Sequence, residues 1–316
     1  MALARPLAAA PADELLPFLV QSACLDRAGA VQPGRLPFEP GCERLHPLEQ
    51  GTPLPWRKHD WPARQHAAAL PLGYQASDSL RGSLLGRPAI LQSLDFGDTR
   101  RAFGRYDRGL GDGGQAVVLR GTDAALILTE DGSGGRQWLL GPDCDAGWLL
   151  AAAPLSESWQ QRLVRLNIAR TPDACPRSFG PSLTRWRLAH LALPWRDAAS
   201  GATASAPVEA LVSEHYAGTG IGNAHHLERF WFGRHLGLLR WERWENPALG
   251  RREGLESRAR LIAESARCPE ITLSGPPAPD WQMVDCRTWS NFNRAAPGQP
   301  LSAPGWPGGL DQDRGR

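Results

Sequence analysis

Lysine is nearly absent from this chain of 316 residues: Lys58 stands alone among 35 basic residues, and the rest are arginine. A guanidinium suits bidentate binding of carboxylate or phosphate. With 34 glycines and 28 prolines present, GC-rich coding is the simpler cause. A strong net charge is also missing, at +2, so no broad field draws the chain to nucleic acid or to an anionic membrane. No apolar run approaches the roughly 18 residues that a membrane span needs. C-x-x-C does not occur, which excludes thioredoxin-like redox chemistry and the usual zinc modules. G-x-S-x-G, H-x-H and H-E-x-x-H are missing too, which argues against an α/β-hydrolase or a zinc peptidase. The N-terminus is a poor signal peptide. Arg5 is its single basic residue and no sustained apolar stretch follows, although Ala8-Ala9-Ala10 suits cleavage after small residues.

Six cysteines are present, in three local couples: Cys24 with Cys42, Cys144 with Cys175, and Cys268 with Cys286. An even count at such spacing implies disulfides and an oxidising compartment, and so a secreted or periplasmic protein. Six cysteines permit many connectivities. Neighbour pairing is expected because short loops close at low entropic cost.

The chain reads as three segments. Residues 1–75 form a short helix and a loop-rich arm. The helix is expected over 11–24, with Asp13 as N-cap and Pro17 tolerated in the first turn. Residues 76–292 form the core domain. From about residue 88, short apolar runs alternate with turn signals, the pattern of a β-sandwich or barrel. Strands are expected at 88–96, 102–106, 115–120, 125–129, 137–140, 147–153, 159–169, 183–193, 207–215, 226–234, 238–245 and 281–289. An amphipathic helix is the alternative at 161–168. Residues 196–206 read as a small-residue linker or exposed loop, and 255–267 as one further helix. Residues 293–316 read as a flexible tail rich in proline and glycine. With many strands, few helices and no βαβ alternation, the fold class is all-β, an antiparallel two-sheet sandwich of jelly-roll type.

Residues 225–246 are the densest stretch of aromatics and charges. They read as a hairpin in which Trp231 meets Arg240, Arg229 meets Glu242, Leu227 meets Trp244, Phe230 meets Trp241 and Glu228 meets Arg243. Each pair is favourable by about 0.2–1 kcal/mol. The slip by one residue that a three-residue turn ending in Gly237 would favour sets Arg229 against Arg243, so like charges meet. One face then carries Phe230, Phe232, Leu239 and Trp241 and packs against a second sheet. The other carries Arg229, Trp231, Arg240, Glu242 and Trp244. Flat aromatics beside carboxylate and guanidinium are what a sugar ring requires, so this second face is the expected ligand surface.

Other chemistry is conceivable. Glu214 and His215 could serve general acid–base catalysis with Glu242, although adjacent strand residues point to opposite faces. Two carboxylates such as Glu214 and Glu242 could hydrolyse a glycoside if suitably spaced. His225, His226 and Glu228 lack metal-ligand spacing, so no metal is expected. The acidic, glycine-rich run at 107–114 reads as a turn, with structural calcium as its alternative. No other cofactor is implied.

The hairpin sequence Leu-Gly-Leu-Leu-Arg-Trp-Glu at 236–242 resembles the strands of secreted concanavalin A-like lectin and glucanase sandwiches, a likeness of strand pattern over residues 88–290. The resemblance implies glycan binding. It does not extend to the Glu-x-Asp-x-Glu catalytic strand, since Glu242-Arg243-Trp244-Glu245 lacks the central aspartate. The expected function is therefore a secreted carbohydrate-binding β-sandwich with a glycan or polysaccharide as partner. The alternatives are a glycoside hydrolase or polysaccharide lyase using Glu214, His215 and Glu242, and a structural or adhesion domain without a small ligand.

Overall fold

The computed structural model describes residues 11–61, 76–94, 113–120, 124–132, 135–249, 268–271 and 275–301, together with Glu256, Ala259, Arg260 and Ala263. Helix α1 (Pro11–Leu19) is shorter than expected because the chain turns extended at residue 21. It buries Leu15, Phe18 and Leu19. Pro17 lies well past the first turn, and its carbonyl accepts the N–H of His235 at 2.5 Å. β1 (Ser22–Leu25) and β2 (Arg44–Pro47) form a small two-stranded sheet beside it, stapled by the Cys24–Cys42 disulfide.

The remainder is one mixed sheet of 14 strands. β3 (Trp56–His59), β4 (Ala76–Leu84), β5 (Arg87–Leu94), β6 (Gly113–Arg120), β7 (Ala124–Gly132) and β8 (Gly135–Leu140) pair antiparallel in sequence order. β9 (Trp148–Ala152) shares an edge of β7 with β8. β10 (Gln160–Ala169) is a strand and not a helix. Its end pairs with β8 and its start with β11 (Gly180–Asp197). From β11 a second antiparallel run follows through β12 (Thr203–Tyr216), β13 (His226–Gly233), β14 (Gly237–Glu245) and β15 (Gln282–Thr288). β16 (Asn291–Arg294) returns to lie parallel to the end of β11 and antiparallel to β3.

Two regions differ from the sequence reading. The small-residue stretch at 196–206 is not a linker: β11 and β12 run through most of it and leave a tight turn at 198–202. Asp197 organises that turn by accepting the N–H groups of Ala199 and Ser200. The segment expected to begin a loose tail is pinned instead. β16 carries it to Arg294, and Leu301 exchanges backbone bonds with Leu54. β1 to β4 were also hidden, because prolines and glycines break any alternation there. The expected strand at 102–106 and residues 107–112 of the acidic turn expected at 107–114 lie outside the described residues, while Gly113 and Gly114 begin β6 rather than end a turn. Glu256, Ala259, Arg260 and Ala263 are helical, as expected for 255–267.

Both runs contribute side chains to one shared core. Ile90, Val117, Leu126, Trp138 and Leu150 come from one side; Trp186, Leu211, Phe230, Phe232 and Trp241 come from the other. Burying each of these side chains contributes roughly 1.5–3 kcal/mol. The opposite face of the second run builds a separate core from Leu191, Val208, Val212, Trp231, Leu239 and Ile271. The other disulfides tie Cys144 to Cys175 and Cys268 to Cys286, so all three expected pairings are present.

The lone lysine is part of this frame. Lys58 is fully buried and donates to the carbonyls of Leu236 and Leu238, each at 2.6 Å, beside the β13–β14 turn. Gly237 is obligatory there. Its φ is +67°, and a Cβ would lie 2.3 Å from Ser79 Oγ. Burial pulls the Lys58 amine down to about 7, and the charge of Asp78 only partly opposes this. Between about pH 7 and the ordinary lysine value near 10.5, the unfolded chain holds a proton that the native chain lacks. Stability therefore rises with pH through that window. Urea unfolding at pH 7.5 and pH 10 is expected to show this rise in the wild type. Lys58→Met is expected to flatten it.

Candidate functional site

The β13–β14 hairpin has the charge-complementary register. Leu227 pairs with Trp244, Glu228 with Arg243, Arg229 with Glu242, Phe230 with Trp241 and Trp231 with Arg240. The tip differs from expectation. Gly233 faces Gly237 across a three-residue turn, Arg234-His235-Leu236, and Phe232 pairs with Leu238. A register shift beyond Trp231 absorbs the extra residue, Leu239. A bulge of this kind lets a glycine-shaped turn and a charge-matched ladder coexist on one hairpin. It also redistributes the side chains. Leu238, not Leu239, joins Phe230, Phe232 and Trp241 in the shared core, while Leu239 packs with Trp231.

The face expected to be open to a ligand is closed. Arg229, Trp231, Arg240, Glu242 and Trp244 are at most 6 % exposed. The chain at 268–271 and 275–281 crosses over them as a strap. Ile271 packs with Trp231 and Leu239. Ala278 and Trp281 pack with Trp244, Leu227 and Tyr216. The Cys268–Cys286 bond fixes the strap to β15, the strand that pairs with β14. The physical reason lies in the alternation itself. Trp231 and Leu239 add apolar area to this face, and a strap that covers them is favoured.

Beneath the strap the polar groups form one connected layer. Glu214 accepts from Arg229 Nε at 2.7 Å and from the Tyr216 hydroxyl at 2.6 Å, and it also pairs with Arg185. Glu242 accepts from Arg229 Nη1 at 2.9 Å, Arg240 Nε at 2.6 Å and Trp244 Nε1 at 2.8 Å. The surplus arginine donors go to the strap: Arg229 Nη1 to the Gly275 carbonyl at 2.9 Å and Arg240 Nη1 to the Pro269 carbonyl at 2.7 Å. Three guanidiniums thus meet two carboxylates. The Gly275 and Pro269 carbonyl dipoles point at this positive charge, and the Arg185 side chain is 15 % exposed. Burial lowers the affinity of Arg229 for its proton, but Glu242 and Glu214 more than offset that and raise it. Burial and then Glu214 also raise the Tyr216 phenol above its ordinary range, so it stays a donor.

The catalytic candidates are therefore divided. Glu214 and Glu242 do share a layer, bridged by Arg229. His215 points to the other face. Its ring lies edge-on to Trp148 and Phe230, with centroids 4.4 and 5.3 Å away. Ser213 Oγ donates to the Leu150 carbonyl, so the 2.7 Å bond to His215 Nε2 is donated by the imidazole. Burial drives this histidine down to about 3, and it stays neutral in the fold. His225 and His226 stack edge-to-face at 4.6 Å, and no group of three metal-ligating side chains occurs among the described residues. Sequence reasoning missed Arg185. Its signal was two arginines, Arg185 and Arg187, at alternate positions on either side of Trp186 in a strand rich in apolar residues.

No protein-family model matches this chain, and neither a curated protein nor a solved structure shows significant similarity to it.

Removing one member of a buried ion network leaves its partners uncompensated, at a cost of about 3–5 kcal/mol. Glu242→Gln is expected to lose stability on that scale in urea unfolding, while an exposed control, Arg27→Ala, is expected to change it by less than about 1 kcal/mol. His215 has its own acid signature. Between pH 6.5 and about 3 the unfolded chain takes a proton that the native ring refuses, so stability falls as pH drops through that window. In His215→Phe this proton uptake is expected to vanish from the pH dependence of unfolding.

Proposed function

We propose that this chain is a secreted or periplasmic β-sandwich that acts as a structural or adhesion scaffold, with the arginine–glutamate–tryptophan layer as its internal fastening. The observation that carries this reading is the burial of Arg229, Arg240, Glu214 and Glu242, each at most 4 % exposed, with surplus donors spent on the strap's own carbonyls. A site that binds or turns over a sugar must offer such donors to a guest. Two runs of strands sharing a common core support the sandwich. Three disulfides support the oxidising compartment. Carbohydrate recognition and the hydrolase or lyase alternative rest on residue types, and the concanavalin A-like resemblance on strand pattern. At 226–245 each would need the strap displaced.

Binding and turnover can be measured together. On a glycan array the wild type is expected to give no signal that Trp231→Ala or Glu242→Gln removes. Incubation with polysaccharides is expected to release neither reducing ends nor unsaturated products. Saturable glycan binding by the wild type, or release of either product, would overturn the scaffold assignment.

A further inference from the structure

A groove of about 780 Å³ lies away from the strap, between β5 and β6. Its origin is a break in strand pairing. The β5–β6 ladder runs from Leu94 opposite Gly113 to Ile90 opposite Val117, and ends there. On either side pairing continues: β4 follows β5 to Arg87, and β7 follows β6 to Arg120. Pro88 explains the split. It has no N–H to donate across the gap, so the ladder ends one step before it. Arg87, Pro88 and Ala89 therefore face Val118, Leu119 and Arg120, and among the described residues no strand pairs with either inner edge.

The groove's charge leans positive, with Arg81, Arg87 and Arg120 set against Glu49 and Asp145. The floor is apolar, with Ile90, Val117 and Leu126. Arg81, Arg87 and Arg120 stand exposed around it. Asp145 binds Arg87 at 2.8 Å. Asp145 also attracts Arg120, and Glu49 lies beside Arg81 as its partner in an isolated β-bridge; among the described residues, three guanidiniums against two carboxylates leave the lining net positive. Among the described residues no aromatic side chain lines the groove, so none of them offers the platform on which a sugar ring stacks.

We propose that this groove receives an extended acidic segment of a partner protein, added as a strand to the free edge of β6 at Val118 to Arg120. Main-chain bonds to that edge hold the segment. Its alternate side chains divide between the apolar floor and Arg81 and Arg120. Three residues of edge span about 10 Å and a hexapeptide about 20 Å, so about half of a hexapeptide lies along the edge and the rest extends beyond it.

The probe is a fluorescein-labelled hexapeptide of alternating aspartate and valine, titrated against the full chain by anisotropy. Saturable binding is expected. In the double variant Arg81→Ala, Arg120→Ala it is expected to weaken about tenfold, on the scale of two exposed ion pairs. It is expected to disappear when the peptide is N-methylated at alternate residues, and to be absent for a lysine–valine counterpart. Both arginines are exposed, so the variant is expected to melt as the wild type does. No saturable binding, or equal binding by the double variant or the N-methylated peptide, overturns the proposal. So does binding of laurate by the wild type but not by the variant when the peptide fails to bind, which would make the groove a site for amphipathic carboxylates. None of these outcomes depends on whether the strapped face binds glycans.

Discussion

The pairing of Glu214 and Glu242 with Arg229 is the constraint from which much of the second half of the molecule follows. One guanidinium joins carboxylates from two different strands, and so fixes β12, β13 and β14 in a single register. Away from water an unpaired member of such a group is costly, so alternative registers are penalised more than the net stability of the pairs would suggest. The strap belongs to the same arrangement. Without the Pro269 and Gly275 carbonyls, guanidinium donors would lie buried and unused. The disulfide that anchors the strap therefore secures an electrostatic cover as well as a loop.

Much of the hairpin was legible in the sequence, and for a clear reason. Cross-strand charge matching in 226–245 has one good solution, and the fold adopts it from His226 to Trp231. The bulge at Leu239 was not legible. It reconciles two local preferences, a glycine at a left-handed turn position and opposite charges in register, that a simple ladder treats as rivals. The cysteine couples were legible because local pairing is the low-entropy choice. Strand β3 was not, since one of its partners, β16, lies far away in sequence.

The orientation of the aromatic face shows where single-strand reasoning stops. Alternation correctly separated Phe230 and Trp241 from Arg229, Trp231 and Glu242. It could not say which faces meet water, because the cover comes from residues 268–271 and 275–281, which show little periodicity. Chemical complementarity to a sugar and chemical complementarity to other parts of the same chain use the same residue types. Here the apolar area of Trp231 and Leu239, with Ile271 laid on it, favours the internal partner.

The solitary lysine has a consequence of its own. Apart from the terminal amine, the folded molecule presents no primary amine to its surroundings, because Lys58 is sealed beneath the hairpin tip. Reducing sugars, aldehydes and amine-directed cross-linkers find no side-chain target until that tip opens. A covalent mark on Lys58 would thus record the chain's history of unfolding, molecule by molecule.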